Sequence, residues 1–131
     1  MDSMRSLGSS TNLADITSTL IQKLNVAKKG ADKIGRIDLH WREGCETYPI
    51  TDYALKPAGS WANRRYILDG AYYDTKYNLE WDLIITVTFV NSYFPRKELD
   101  SFFQQEYPDF FLVWSNRVTF KLYRIIARYI D

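Results

Sequence analysis

The chain has 131 residues, 25% of them charged, a net charge of +1 and one cysteine, Cys45. That length suits a single domain with a core of its own, and one cysteine excludes an intrachain disulfide, a redox pair and a Cys-rich zinc site, which favours a reducing, cytoplasmic setting. The longest apolar run, Leu83 to Val90, is interrupted by Thr86 and Thr88 and is too short to cross a bilayer as a helix, so no transmembrane segment is expected.

Residues 1 to 11 are rich in Ser, Gly and Thr and read as a flexible arm, with a single domain expected over residues 12 to 131. A helix follows from Leu13 to Lys29. Asn12 is a good N-cap, Asp15 suits the positive end of the helix dipole, and Leu13, Ile16, Leu20, Leu24 and Ala27 fall on one stripe. Lys28 and Lys29 lie in its last turn and Gly30 is the expected C-cap; a basic connector holding Lys33 comes next.

Ile37, Leu39 and Trp41 alternate with Asp38, His40 and Arg42, which predicts a half-buried strand. Residues 46 to 56 alternate poorly around Pro49 and suggest an edge strand or packed loop. Pro57, Gly59 and Ser60 mark a loop that carries Trp61, followed by Arg64 and a short strand from Arg65 to Asp69.

The strongest signal is Asn78 to Val90. Leu79, Trp81, Leu83, Ile85, Val87 and Phe89 occupy every second position, which predicts a long strand with these six on the core face. Glu80, Asp82, Ile84, Thr86 and Thr88 fill the other face, a candidate for contact with another copy. A short helix begins after Pro95, with Leu99, Phe102 and Phe103 as its apolar stripe, and Pro108 closes it. A hairpin then joins Phe110 to Trp114 with a strand that starts near Arg117, while residues 125 to 131 fit a bulged strand or a helical turn equally. The layout predicts an α+β fold: an antiparallel sheet of about five strands, an N-terminal amphipathic helix, and a second short helix before the C-terminal hairpin.

Motifs for chemistry are sparse. No Walker, dinucleotide-binding, GxSxG, HExxH or EF-hand pattern occurs, so no cofactor is expected. His40 is the only histidine, and an acid–base scheme would run through it with Asp38 and Arg42 on the same side of its strand; Cys45 lies across a turn from it. Glu80 and Asp82 could pair with cations on a neighbouring strand.

Charge is distributed unevenly, at +3 over residues 1 to 36, −5 over 37 to 110 and +3 over 111 to 131. Basic ends are drawn to phosphate, anionic lipid or the acidic middle of another copy. The candidate interaction residues are Lys28, Lys29 and Lys33; Trp61, Arg64 and Arg65; and Arg117, Lys121, Arg124 and Arg128 beside Tyr123 and Tyr129. Aromatics make up 16% of the chain, and such rings serve recognition surfaces as well as cores. The expected function is a non-catalytic structural protein that self-associates, on the plan of small viral matrix or coat building blocks, and is then virion-associated. It would touch nucleic acid or an anionic membrane through its basic ends. The alternatives are a ligand-binding domain or enzyme with an aromatic-lined pocket using His40, and a single-stranded nucleic-acid binder.

Overall fold

The computed structural model describes residues 7–50, 65–69 and 71–128. The chain folds as β1 (Leu7–Asn12), α1 (Leu13–Val26), β2 (Ile34–Trp41), β3 (Gly44–Tyr48), β4 (Arg65–Asp69), β5 (Tyr72–Asp74), β6 (Leu79–Phe89), α2 (Arg96–Glu106), β7 (Phe110–Trp114) and β8 (Thr119–Arg128). It is an α+β fold: among the described residues six strands form an antiparallel sheet in the order β3-β2-β6-β8-β7, with β5 also paired to β6. β1 and β4 make a separate antiparallel ribbon, so residues 7 to 11 of the segment read as an arm belong to a paired strand. The loop around Pro57 to Ser60, Trp61, Arg64 and Tyr129 lie outside the described residues.

α1 starts as its sequence requires. The Asn12 side chain accepts from the Asp15 N–H at 3.0 Å, satisfying one of the orphan donors of the first turn. Its end differs from expectation. The Lys29 N–H bonds to the Leu24 carbonyl at 2.8 Å and the Lys28 N–H to that of Asn25 at 3.1 Å, the paired bonds of a Schellman cap. The left-handed position of that cap is Lys28, at φ 56°, so the helix closes two residues before the glycine expected to do it. Gly30, at φ 84°, instead turns the chain into a 3-10 turn over Ala31–Lys33. A Cβ there would stand 3.4 Å from both Phe94 Cβ and Pro95 Cδ, so the exit of α1 packs against the entry to α2.

One face of the sheet carries the main core. Leu13, Leu20, Ile21 and Leu24 from α1 and Leu99 and Phe103 from α2 pack on Ile37, Leu39, Leu83, Ile85, Val87, Phe120 and Leu122. Each such aliphatic side chain removed from water stabilises the fold by about 1.5–3 kcal/mol. Phe120 is the aromatic centre, with the rings of Phe89, Phe103 and Trp114 at 5.8, 5.6 and 5.2 Å.

β6 departs from unbroken alternation at one point. Trp81 is opposite Ile125 on β8, yet Leu83 is opposite Arg124, which leaves Asp82 as an extra residue. This bulge reverses the facing of everything before it. Leu83, Ile85, Val87 and Phe89 face the helices as predicted, whereas Leu79 and Trp81 join Ile84, Tyr123, Tyr77 and Phe111 in a second cluster on the opposite side. The expectation that Trp81 packs under the helices is therefore corrected. Asp82, read as part of a wet face, is 2% exposed and Arg124 is 8% exposed. The guanidinium donates to both carboxylate oxygens, Nε to Oδ1 at 2.8 Å and Nη2 to Oδ2 at 2.9 Å. β8 compensates with its own extra residue, Ile126, between the Glu80–Ala127 and Trp81–Ile125 pairs. The phase slip after Arg124 is thus a bulged strand continuing to Arg128.

Candidate functional site

Two surfaces stand out, and each is built by elements that the core positions. The first is the free edge of β7. Among the described residues β7 ends the sheet, bonded to β8 alone. Its residues Phe110, Phe111, Leu112, Val113 and Trp114 are all half-buried and none is charged. The Ser115 N–H bonds to the Thr119 carbonyl, which sets the alternation of the ladder so that Val113 and Phe111 bond toward β8 while Leu112 and Trp114 present N–H and C=O outward. The Phe110 N–H is the outward group already taken, by the Tyr107 carbonyl at 3.0 Å. A cleft of about 490 Å³ runs beside this edge, bordered by Asp100, Phe103 and Gln104 of α2 and by Pro108, Leu112 and Trp114. Trp114 is fixed in place: its Nε1 donates to Asp100 Oδ1 at 2.8 Å, Phe94 stacks on it at 5.6 Å, and the Arg96 guanidinium lies 4.3 Å from its ring centroid.

The opposite edge of the sheet is built differently. β3 is of the same length as β7 but carries Glu46 and is followed directly by Pro49. Charge and proline are usual devices that stop an edge from pairing with another chain. β7 carries no charge within its five residues, and the nearest proline, Pro108, stands two residues before it.

The second surface is a basic pole at the end of the sheet where β2 begins and β6 finishes. The Val90 N–H bonds to the Lys33 carbonyl at 2.8 Å and the Phe89 N–H to that of Val118, also at 2.8 Å. These contacts, with Gly30 against Phe94 and Pro95, bring Lys28, Lys29, Lys33 and Arg117 to one end of the molecule. Arg96 and Lys97 of the first turn of α2 join them. The nearby acids are Asp32, 3.8 Å from Lys33, Asp38, paired with Arg36, Asp100, which accepts from the Trp114 indole beneath Arg96, and Glu98 and Glu106, which border one cleft with Lys29 and Lys97. None of the ion pairs among the described residues uses Lys28, Lys29, Lys97 or Arg117. Beside the cations, Val90 is 67% and Tyr93 78% exposed.

The other expected site residues are scattered. Arg124 leaves the surface set, since its guanidinium is closed into the Asp82 pair. Lys121 stands opposite Val113 and Thr86, and Arg128 lies over the Phe111 ring at 4.9 Å, so both flank the second aromatic cluster. Arg65 opens β4, paired with Asn12. In the sequence Val90 reads as the end of the long strand, Tyr93 as loop, and Arg96 and Lys97 as a helix start, so no local pattern singles them out. Only the crossing of four segments at one end gives them a common role.

His40 is directly opposite Cys45 on β3 and Ile84 on β6. Asp38 does share its side of the strand, but the Asp38 carboxylate accepts from Arg36 Nε at 2.9 and 3.0 Å and from Thr47 Oγ1 at 2.7 Å. Arg42 lies over Tyr72 instead, 5.8 Å from the ring centroid. Neither flanking residue is directed at the imidazole. Among the described residues no group of three His, Cys, Asp or Glu side chains is placed to hold a metal ion, and no helix is long and apolar enough to cross a membrane.

Three tyrosines are perturbed, each chiefly by burial. Tyr48 is pushed above the ordinary tyrosine value by desolvation, with its bond to Ser18 opposing. Tyr107 is raised by burial and then by Glu106, and Tyr123 by burial and then by Asp74 and Tyr77. Burial penalises the phenolate, so these rings act as neutral, apolar packing elements at physiological pH. No family model, curated protein or solved structure matches the chain.

Proposed function

We propose that this protein is a non-catalytic building block that self-associates by pairing the free edge of β7 with the same edge of another copy. The observation that carries this reading is the contrast between the two ends of the sheet. Both edge strands have five residues, but β3 carries the charge of Glu46 and runs into Pro49, while β7 offers five consecutive apolar residues, two of them with outward backbone groups. An unguarded apolar edge is a template for strand addition, in which main-chain hydrogen bonds supply affinity and alternate side chains supply register. Antiparallel pairing of β7 with β7 continues the sheet across two copies and satisfies the outward groups of Leu112 and Trp114. A two-fold contact of this kind uses one patch on both partners and closes without further surfaces.

Sedimentation equilibrium across a wide concentration range tests the reading, with Val113→Glu as the variant. Lys121 is opposite Val113 on β8, which gives the new carboxylate a cross-strand partner at the border of the second cluster, and circular dichroism of the variant checks that the subunit stays folded. In the paired edge the same carboxylate is desolvated. That costs about 3 kcal/mol or more, a loss of roughly a hundredfold in association. The expected result is an oligomer for the natural chain, a monomer for Val113→Glu, and unchanged assembly for Cys45→Glu on the exposed β3 edge. A natural chain that remains monomeric at every concentration, or that assembles equally well as Val113→Glu, removes the proposal.

A further inference from the structure

The basic pole has a composition that calls for a particular partner. Its cations come from separate segments held by backbone bonds, so the charge belongs to a fixed surface and not to a mobile tail. Within that surface the loop after β6 projects Val90 and Tyr93, with exposures of 67% and 78%. The loop has a defined shape, since the Tyr93 N–H is held by the Asn91 side chain at 2.9 Å and Val90 by the Lys33 carbonyl. A solvated valine among lysines gains nothing from water. At a bilayer it gains apolar burial, a tyrosine suits the headgroup level, and the surrounding cations meet anionic lipid.

Nucleic acid fits less well. Binding a strand by stacking uses successive ring faces beside the cations, but among the described residues of the pole Tyr93 is the one exposed ring, because the Trp114 ring is covered by Arg96 at 4.3 Å and by Phe94 at 5.6 Å. Valine offers no face for a base. We infer that the basic pole, formed by Lys29, Lys33, Arg96, Lys97 and Arg117 around Val90 and Tyr93, docks on an anionic lipid bilayer with those two side chains entering the headgroup region. The pole adjoins the β7 edge, since Arg96 lies over Trp114, but Lys97, Arg117 and Tyr93 lie outside β7, so the inference is tested without reference to self-association.

Co-sedimentation of the full chain with phosphatidylcholine vesicles, and with vesicles in which about one-third of the lipid is phosphatidylserine, is the test. The expected result is binding to the anionic vesicles alone, weakening as salt rises. Each cation near such a surface contributes about fivefold in affinity, so Lys97→Gln with Arg117→Gln lowers binding by roughly 25-fold. Both side chains are exposed, which leaves the fold intact. Tyr93→Ser lowers binding by about tenfold without changing charge. Equal binding to both vesicle types overturns the inference, as does an absence of binding or a Tyr93→Ser variant with unchanged affinity. Binding of a single-stranded oligonucleotide that depends on Lys97 and Arg117, with no vesicle binding, would assign the pole to nucleic acid instead.

Discussion

Replacing Arg124 by methionine is the sharpest probe of how the sheet is held. The pair with Asp82 is sealed, with side-chain exposures of 9% for Arg124 and 0% for Asp82. It is also bidentate, at 2.8 and 2.9 Å. In Arg124→Met the carboxylate remains buried without a counter-charge, and removing one partner of such a pair costs about 3–5 kcal/mol. For a chain of this size each kcal/mol moves the melting temperature by about 3–5 °C, so a drop of roughly 10–20 °C is expected. The double variant Asp82→Leu with Arg124→Met replaces both charges by apolar groups and recovers to within about 1–2 kcal/mol of the natural chain, because the desolvation penalty is removed along with the attraction. Urea unfolding of the natural chain, both single variants and the double gives the coupling energy. A loss below about 1 kcal/mol for Arg124→Met would refute the reasoning, since it would mean that the pair is hydrated and the bulge is held by something else.

Further tests address the local structure. Lys28 holds a left-handed conformation at φ 56°, which costs a side-chain-bearing residue about 1 kcal/mol, so Lys28→Gly is expected to raise stability by up to that amount while Lys28→Ala does not. A lower urea midpoint for Lys28→Gly would contradict the cap. Tyr48, Tyr107 and Tyr123 are raised above the ordinary value of 10.0. Above that pH the unfolded chain loses phenolic protons that the folded chain keeps, so the unfolded state binds fewer protons and stability falls as pH rises. Their contribution is complete below about pH 10 and is lost through and above it; phenylalanine at the three positions should flatten this alkaline slope in urea midpoints, and an unchanged slope would assign it to other groups.

Much of the fold is legible in the chain because it rests on short-range patterns. Asn12 and Asp15 mark the start of α1, and the alternation from Leu83 to Phe89 matches the observed core face residue by residue. What the pattern misses is governed by contacts between distant residues. Strict alternation places Trp81 under the helices, but the partner that moves it away is Arg124, forty-two positions along the chain. Nothing local to Glu80, Trp81 and Asp82 specifies a bulge. The end of α1 departs from expectation for the reverse reason: glycine is the favoured capping residue, yet Lys28 takes the left-handed position and the freedom of Gly30 serves the approach to Phe94 and Pro95.

The candidate surfaces were legible only in part. Lys28, Lys29, Lys33 and Arg117 were identified as cations at the two ends of the chain, and the sheet brings those ends together because β2 begins where β8 begins, on either side of the finish of β6. Strand order cannot be read from hydropathy, so nothing in FFLVW itself distinguishes an edge strand from a central one. Its five apolar residues acquire meaning only once β7 is seen to have β8 on one side and no strand on the other among the described residues.

The proposal that β7 is the assembling edge is tested most directly by amide hydrogen exchange over Phe110 to Trp114 as protein concentration is raised. The backbone N–H groups of Leu112 and Trp114 point away from β8 and should exchange rapidly in the dilute chain, then become protected as copies pair, while those of Phe111 and Val113 stay protected throughout. Exchange at Leu112 and Trp114 that is independent of concentration, or protection that develops along β3 instead, would contradict it.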